Sequence, residues 1–507
     1  MTSTPTRGWY LVWPALIIAA GLVIHVFNPA GVTTRIQDFS LGIFERYKPR
    51  MPAHGASAAP SIRYVDIGAD SLHARGPWPW PRSDIARLVG TLGESGAKAV
   101  ILDLPLEGRD PVSPGRLAQG LPETADGMAL RATYGLLPDP DLALAGAMAK
   151  TPVVTRFDLL ELATAIDATA LGAPLTADPR AERWLAEARG AEPPYAPLNE
   201  KSAGLGAALI SHSPDSAYRL PLLVKVAGGV HPTLLLEAAR IALGAPKPEV
   251  EAFEPATPQD KWLGRPGPAA IKLGETRIPI TRDGELVFHA STNPPPALSA
   301  AAILAGNIDP SIKDSVVVIG ASGAGLAPPL LSPTGSLLPQ SAVLVEGLGQ
   351  ILSKSFVIRP LWADIGEELF IFVAGLALCL LLLHAPIAWS ILTGMAAVGG
   401  MAALGWLAFS RELWFLDPLL PSLTIGTALV LGVHGRLAAE RAAEAADQLP
   451  LAALVPTPPP VSGKLPTLKP AAMGDAGERR MVTVLACEIR NFEDVMQRYD
   501  PDPSALT

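Results

Sequence analysis

The chain changes its hydrophobic pattern several times, and the changes divide it. From Gly8 to Phe27 the sequence reads GWYLVWPALIIAAGLVIHVF, with no Lys, Arg, Asp or Glu. At ~1.5 Å per helical residue, ~20 such residues cross a ~30 Å hydrocarbon core. The Trp- and Tyr-rich start suits a membrane interface. A cleaved signal peptide is the alternative, but the run is long for one and no A-x-A site follows it. Three more apolar runs come late and close together: Leu369–His384, which can extend back toward Ile365, Ile387–Phe409 and Leu413–His434. Short joints at HAPIA and SRE connect them. Four spans would place both ends of the chain on one side. Arg7, Arg436 and Arg441 on that side face Arg35, Arg359 and Arg411 on the other, so basic residues do not settle the orientation.

Between the first and second apolar runs the pattern is that of an α/β domain. SIRYVDIG predicts a strand ending at Asp66. Ile85, Leu88, Val89 and Leu92 then recur at i, i+3, i+4 and i+7, one face of a helix. Ser83 is its expected N-cap and Gly96 its stop. AKAVILDLP is the next strand, ending at Asp103, and the spacing suits a right-handed parallel crossover. VVVIGASGAGL predicts a buried strand running into a Gly-rich turn, which lacks the Lys of a P-loop and the full GxGxxG spacing. Asp66 and Asp103 are expected at the C-terminal ends of neighbouring strands, where open α/β sheets take their ligands. An Asp there also caps loops, and that reading stays open for both. PWPWPR (77–82) makes a rigid aromatic corner, either a core plug or a binding surface.

Composition narrows the function. A chain of 507 residues has room for two or more domains, and a net charge of −8 leaves no basic footprint for nucleic acid. The spans carry almost no ionisable groups apart from Asp417 near an end, which disfavours a transporter. Cys379 and Cys487 are the only cysteines, so the middle region has no disulfide framework, and no Cys/His cluster has zinc spacing. After the last span, GRLAAERAAEAADQ favours a helix of about four turns. Prolines at 450, 456, 458, 459, 460, 466 and 470 then make an extended, semi-rigid segment. Near the C-terminus, RRMVTVLACEIRNFEDV predicts a short buried strand with a carboxylate at its tip.

Two resemblances follow from these residues. GPWPWPRSDIARLVGTLGESGAKAVILDLPLEGRDPVSPG resembles the type-2 CHASE domain, an extracytoplasmic sensor module of bacterial membrane proteins. PDPDLALAGAMAKTPVV, LVFHASTNPPPALSAAAILAG and VVVIGASGAGLAPPLLSPTG extend the likeness over most of residues 30–360. That family is commonly followed by three transmembrane helices and a cytoplasmic output domain. This chain departs from it with PQSAVLVEGLGQIL where a Gly-Val-Glu-x-His-Ala run is usual, and with Ala327 where Asp is common. ERRMVTVLACEIRNFEDV resembles the first strand of class III nucleotide cyclases. The resemblance implies magnesium or manganese held by the strand carboxylate and the next carbonyl, here Glu488 and Ile489. Glu488 stands in place of Asp, Asn491 in place of Gly and Glu493 in place of Thr.

The expected fold is an α/β extracytoplasmic sensor domain plus four transmembrane α-helices, with a truncated α+β cyclase start at the C-terminus. The expected divisions are a cytoplasmic N-terminus (1–8), a span (9–27), the sensor (30–362), three spans (366–384, 387–409 and 413–434), a helical then Pro-rich linker (435–477) and an incomplete cyclase domain (478–507). Asp66, Asp103, Trp78, Trp80 and Arg82 are the ligand-binding candidates in the sensor. The expected setting is the bacterial inner membrane, with the sensor outside and the C-terminus in the cytoplasm. Expected partners are membrane lipid, an unidentified extracytoplasmic ligand, and a second copy or a cyclase, with no nucleic acid. Two functions compete: a sensor of the adenylate cyclase lineage, converting ATP to cyclic AMP only in an intact relative, and a non-catalytic receptor that modulates a partner.

Overall fold

A computed structural model describes residues 8–51, 61–162, 168–177, 179–182, 185–208, 218–251, 269–281, 283–293, 295–325, 328–360 and 362–447. Ala327, Glu488 and Ile489 lie outside the described residues, as do the whole of the linker's Pro-rich part and the whole of 478–507. The described chain is mixed α/β with four apolar helices.

The α/β domain between the first and second apolar helices is built on one sheet. Its strands in chain order are β1 (Ile62–Asp66), β2 (Ala99–Leu102), β3 (Val153–Leu160), β4 (Gly190–Glu192), β5 (Gly204–Ala207), β6 (Ala297–Ser299) and β7 (Val316–Gly320). Across the sheet the order is β6-β1-β7-β2-β3, with β5 parallel and β4 antiparallel along the far edge of β3. The expectation that β1 and β2 are neighbours is corrected here, because β7 lies between them and pairs in parallel with both. The reason is in its sequence: Val-Val-Val-Ile-Gly is apolar at every position, so it needs cover on both faces. It receives that only in the centre, where all five residues are buried.

Strand alternation then makes two cores. Val316 and Val318 pack on one face with helices α5 (Leu234–Leu243) and α6 (Gln340–Leu352). Val317 and Ile319 pack on the other with α3 (Arg82–Glu94) and α4 (Pro140–Met148). The i, i+3, i+4, i+7 set of Ile85, Leu88, Val89 and Leu92 is the buried face of α3. Its start differs from expectation. The helix begins at Arg82, and the Arg82 amide is met by the Asp110 carboxylate at 2.8 Å, not by the Ser83 hydroxyl. A tertiary contact supplies the acceptor that a local cap would have offered.

Among the described residues, four helices are long and apolar enough to cross a membrane: Trp9–Phe27, which includes α1 (Val12–Phe27), then α7 (Ala363–His384), α8 (Ile387–Glu412) and a last span, Leu419–Ala445, within α9 (Leu419–Asp447). Between α1 and the α/β domain, α2 (Val32–Tyr47) follows a turn in which Asn28, Ala30 and Gly31 adopt left-handed backbone angles. Residues 413–418 are not helical. Leu413 has φ 55°, its carbonyl accepts from the Ile358 amide, and the Phe415 amide donates to the Ile358 carbonyl, which ties this loop to the end of the α/β domain. Pro418 disfavours helix at the residue before it, so α9 starts after it.

The packing of β5 gives a direct check. A Cβ at Gly206 would lie 2.6 Å from backbone atoms of Thr233 and Leu234, whereas one at Gly146 on the exposed side of α4 would meet nothing within 4 Å. Gly206→Ala is expected to destabilise by about 1–3 kcal/mol, and Gly146→Ala to stabilise by about 0.5–1 kcal/mol. Thermal unfolding of the detergent-solubilised chain measures both.

Candidate functional site

The parallel strands end along one edge, where ligands of open α/β sheets bind. Asp66 closes β1. Its carboxylate accepts from the Ser322 amide at 2.9 Å, from the Ser322 hydroxyl and from Tyr64 Oη at 3.0 Å. Tyr64 Oη also lies 2.9 Å from Ser341 Oγ at the start of α6. Burial, together with the Asp66 charge, pushes the Tyr64 phenol well above its ordinary range, so it stays neutral and donates. Asp66 thus ties the turn after β7 to β1, and its described bonds are all internal.

Asp103 lies on the other side of β7. Its carboxylate accepts from Arg156 Nη1 at 2.9 Å. Arg156 and Asp158 sit two residues apart on β3, hence on one face, with Arg156 Nε 3.1 Å from Asp158 Oδ1. Glu107, in the loop after β2, completes the group. It lies within hydrogen-bonding reach of Asp158, and its pKa is raised to about 7, first by burial and then by the Asp158 charge. Edge residues Asp103, Glu107, Arg156 and Asp158 therefore converge, while Asp66 stands apart across β7. Sequence reasoning missed three of these four. The signal was present in VVTRFDLL, where two opposite charges interrupt an otherwise apolar strand.

The PWPWPR corner supports this edge from behind. Trp80 is buried, with Nε1 donating to the Gly76 carbonyl at 3.0 Å, and half-buried Trp78 packs on the same core. Arg82 is buried and fully engaged. Its guanidinium donates to the carbonyls of Gly108 at 2.8 Å and Glu107 at 3.2 Å, and to the Asp141 carboxylate. The arginine thereby fixes the loop that presents Glu107.

A second polar group joins the α/β domain to the apolar helices. Glu45 on α2 meets His289 at 2.8 Å, with neither exposed by more than 4%, and burial raises the Glu45 pKa. Arg50 pairs with Glu346 of α6 at 2.5 Å, and Glu346 also accepts from the Ser291 hydroxyl at 2.8 Å. On the membrane side, Phe44 of the same helix packs against Trp406 and Phe409 of α8 and against Phe415. Deeper in, His25 on α1 sits between Glu367 at 2.9 Å and Glu368 at 3.2 Å of α7. Among the described residues, His25, Asp364 and Glu367 are the set whose ligand atoms converge closely enough for a metal ion. A guanidinium already serves them, because Arg359 donates to Asp364 at 2.6 Å and to Glu367 at 2.9 Å. A histidine inside an otherwise uncharged span was the available signal.

The Arg50–Glu346 pair can be tested directly. Removing one partner leaves an uncompensated buried charge, so Arg50→Met is expected to cost about 3–5 kcal/mol. Arg50→Met with Glu346→Leu is expected to recover most of the loss. Chemical unfolding in detergent reads both.

Comparison with known proteins agrees with this architecture. No curated protein and no solved structure matches the chain. A family model does, the CHASE2 domain, over residues 17–382, which is more than half of the sequence. The match takes in the α/β sensor and reaches into the apolar helix on either side. The chain belongs to the CHASE2 domain family.

Proposed function

We propose that the chain is a multi-pass sensor of the bacterial inner membrane, with the CHASE2 domain outside, the C-terminus in the cytoplasm, and a signal relayed through α2 and the helical bundle. One observation carries the reading. Helix α2 is gripped at once by the sensor, through Glu45–His289, and by α8, through Phe44 and Phe409. A shift of the sensor around His289 is therefore felt directly by the membrane helices. From that bundle α9 runs unbroken from Leu419 to Asp447, a route for rotation or register shift. Residue sidedness tests the topology. With Cys379 and Cys487 changed to Ser, Lys150→Cys is expected to react with a membrane-impermeant maleimide in intact cells. Ala445→Cys is expected to react only after lysis; the reverse labelling would invert the topology.

The output we propose belongs to cyclic-nucleotide signalling, on the likeness of ERRMVTVLACEIRNFEDV to a class III cyclase strand. The favoured form is a regulator paired with a second copy or with a separate cyclase, because Glu488 replaces the metal-binding Asp. The extra methylene moves the carboxylate by roughly 1.5 Å, and octahedral magnesium tolerates little misplacement. Membranes carrying this chain are expected to give background cyclic AMP from ATP with Mg²⁺ or Mn²⁺. Sustained turnover abolished by Glu488→Ala would instead make the chain itself the cyclase.

A further inference from the structure

The edge of β2 and β3 holds a buried acceptor atom that lacks a donor. Glu107 Oε1 is sealed from solvent without a hydrogen-bond partner among the described residues, and Asp158 Oδ1, equally sealed, has Arg156 Nε 3.1 Å away but out of hydrogen-bond alignment. The two carboxyl groups lie within hydrogen-bonding reach of one another. Two ionised carboxylates at that separation repel, whereas one proton between them gives each what it lacks, since a protonated carboxyl donates through its O–H.

The surrounding charges do not remove the need for that proton. Arg156 is the cation facing the pair, and it is shared with Asp103 at 2.9 Å. Arg109, on the same loop, turns to the Tyr195 hydroxyl at 3.0 Å. Arg82 lies behind the loop, where it binds backbone carbonyls and Asp141. Glu192 is the register partner of Asp158 on β4 and adds another acid. Asp66 is separated from the pair by β7 and is occupied by Tyr64 and Ser322.

We propose that Glu107 and Asp158 form a site for a single shared proton, and that this proton regulates the sensor's ligand edge. Bound, it holds the Glu107 loop against β3. Released to solvent, it leaves Asp103, Glu107 and Asp158 all ionised before one guanidinium, and the loop tip at Gly108–Asp110 loosens. The exchange falls near neutrality, because burial and the Asp158 charge hold the Glu107 proton to about pH 7 instead of the ordinary 4.5. The sign follows by linkage. The folded state holds the proton more tightly than the unfolded chain, so this group's contribution is full below about pH 4.5. It declines as the pH rises to about 7 and is flat above. The regulatory half of the inference rests on the sensor reading, whereas the proton site does not.

Infrared titration of the full chain in lipid nanodiscs tests the site. Wild type is expected to show a protonated-carboxyl band that disappears with a midpoint near pH 7. The band is expected to be absent in Glu107→Gln and unchanged in the control Glu94→Gln, at the exposed C-terminal end of α3. In Asp158→Asn its midpoint is expected to fall by about one unit or more, toward the ordinary carboxylate range. Absence of a carboxyl titrating near neutrality, or its survival in Glu107→Gln, overturns the site. Glu107→Gln keeps side-chain volume and mimics the protonated form, so it serves even where Asp158→Asn fails to fold. For the regulatory half, hydrogen exchange at Gly108–Asp110, corrected for intrinsic rates, is expected to accelerate above the midpoint in wild type and not in Glu107→Gln. Equal protection on both sides of the midpoint in wild type overturns that half. Maleimide sidedness at Lys150→Cys judges the sensor reading separately.

Discussion

Five residues, Val316–Gly320, carry the architecture of the sensor. They enter the sheet between β1 and β2, strands that precede them by more than two hundred residues. A strand apolar at every position needs cover on both faces, and the centre of the sheet provides it while pairing its backbone on both sides. Once there, its alternate side chains join the two cores and its backbone pairs on both sides. The loop-closure entropy of so distant a contact grows only slowly with separation, and central burial outweighs it. A consequence is that both halves of the domain are needed for either core. Another is that α6, which follows β7, is placed against Tyr64, Arg50 and, through Gln350, the His289 amide, close to where the chain enters the domain.

That placement explains why charged groups are buried at the membrane junction. Glu45, His289, Arg50 and Glu346 would each be costly alone in a dry interior. Paired, they join α2 to the sensor with directional contacts, while the aromatic contacts of Phe44 join the same helix to α8. Apolar packing tolerates sliding; a buried ion pair has few alternative partners. The junction thus combines a fixed polar register with an adaptable apolar face, an arrangement suited to passing small displacements. Whether buried pairs add stability in sum is a separate matter, since their desolvation offsets much of the attraction.

The strand-end edge of β2 and β3 follows a similar logic at lower burial. Arg82, drawn from the PWPWPR corner, is spent on backbone carbonyls of the loop that carries Glu107. The corner therefore acts by positioning. The charged groups that converge at the open end of the sheet belong to β2, β3 and the loop after β2, with Asp66 of β1 standing apart across β7.

How much of this could be read in advance depends on the range of the interaction. Apolar runs, the amphipathic face of α3, the parallel character of the strands and the helical extension past the last span are local patterns, so the sequence alone determined them, together with the likeness to the CHASE2 family. Asp66 and Asp103 were found because a strand end is also a local feature. The tertiary structure alone decided that β7 separates them, that Asp110 rather than Ser83 meets the first amide of α3, and that Glu107 meets Asp158. It alone also paired Glu45 with His289 across 244 residues. The physical reason is common to all four. A donor or an acceptor can be satisfied by any partner the fold brings near, and periodicity along the chain carries no information about which distant residue that is.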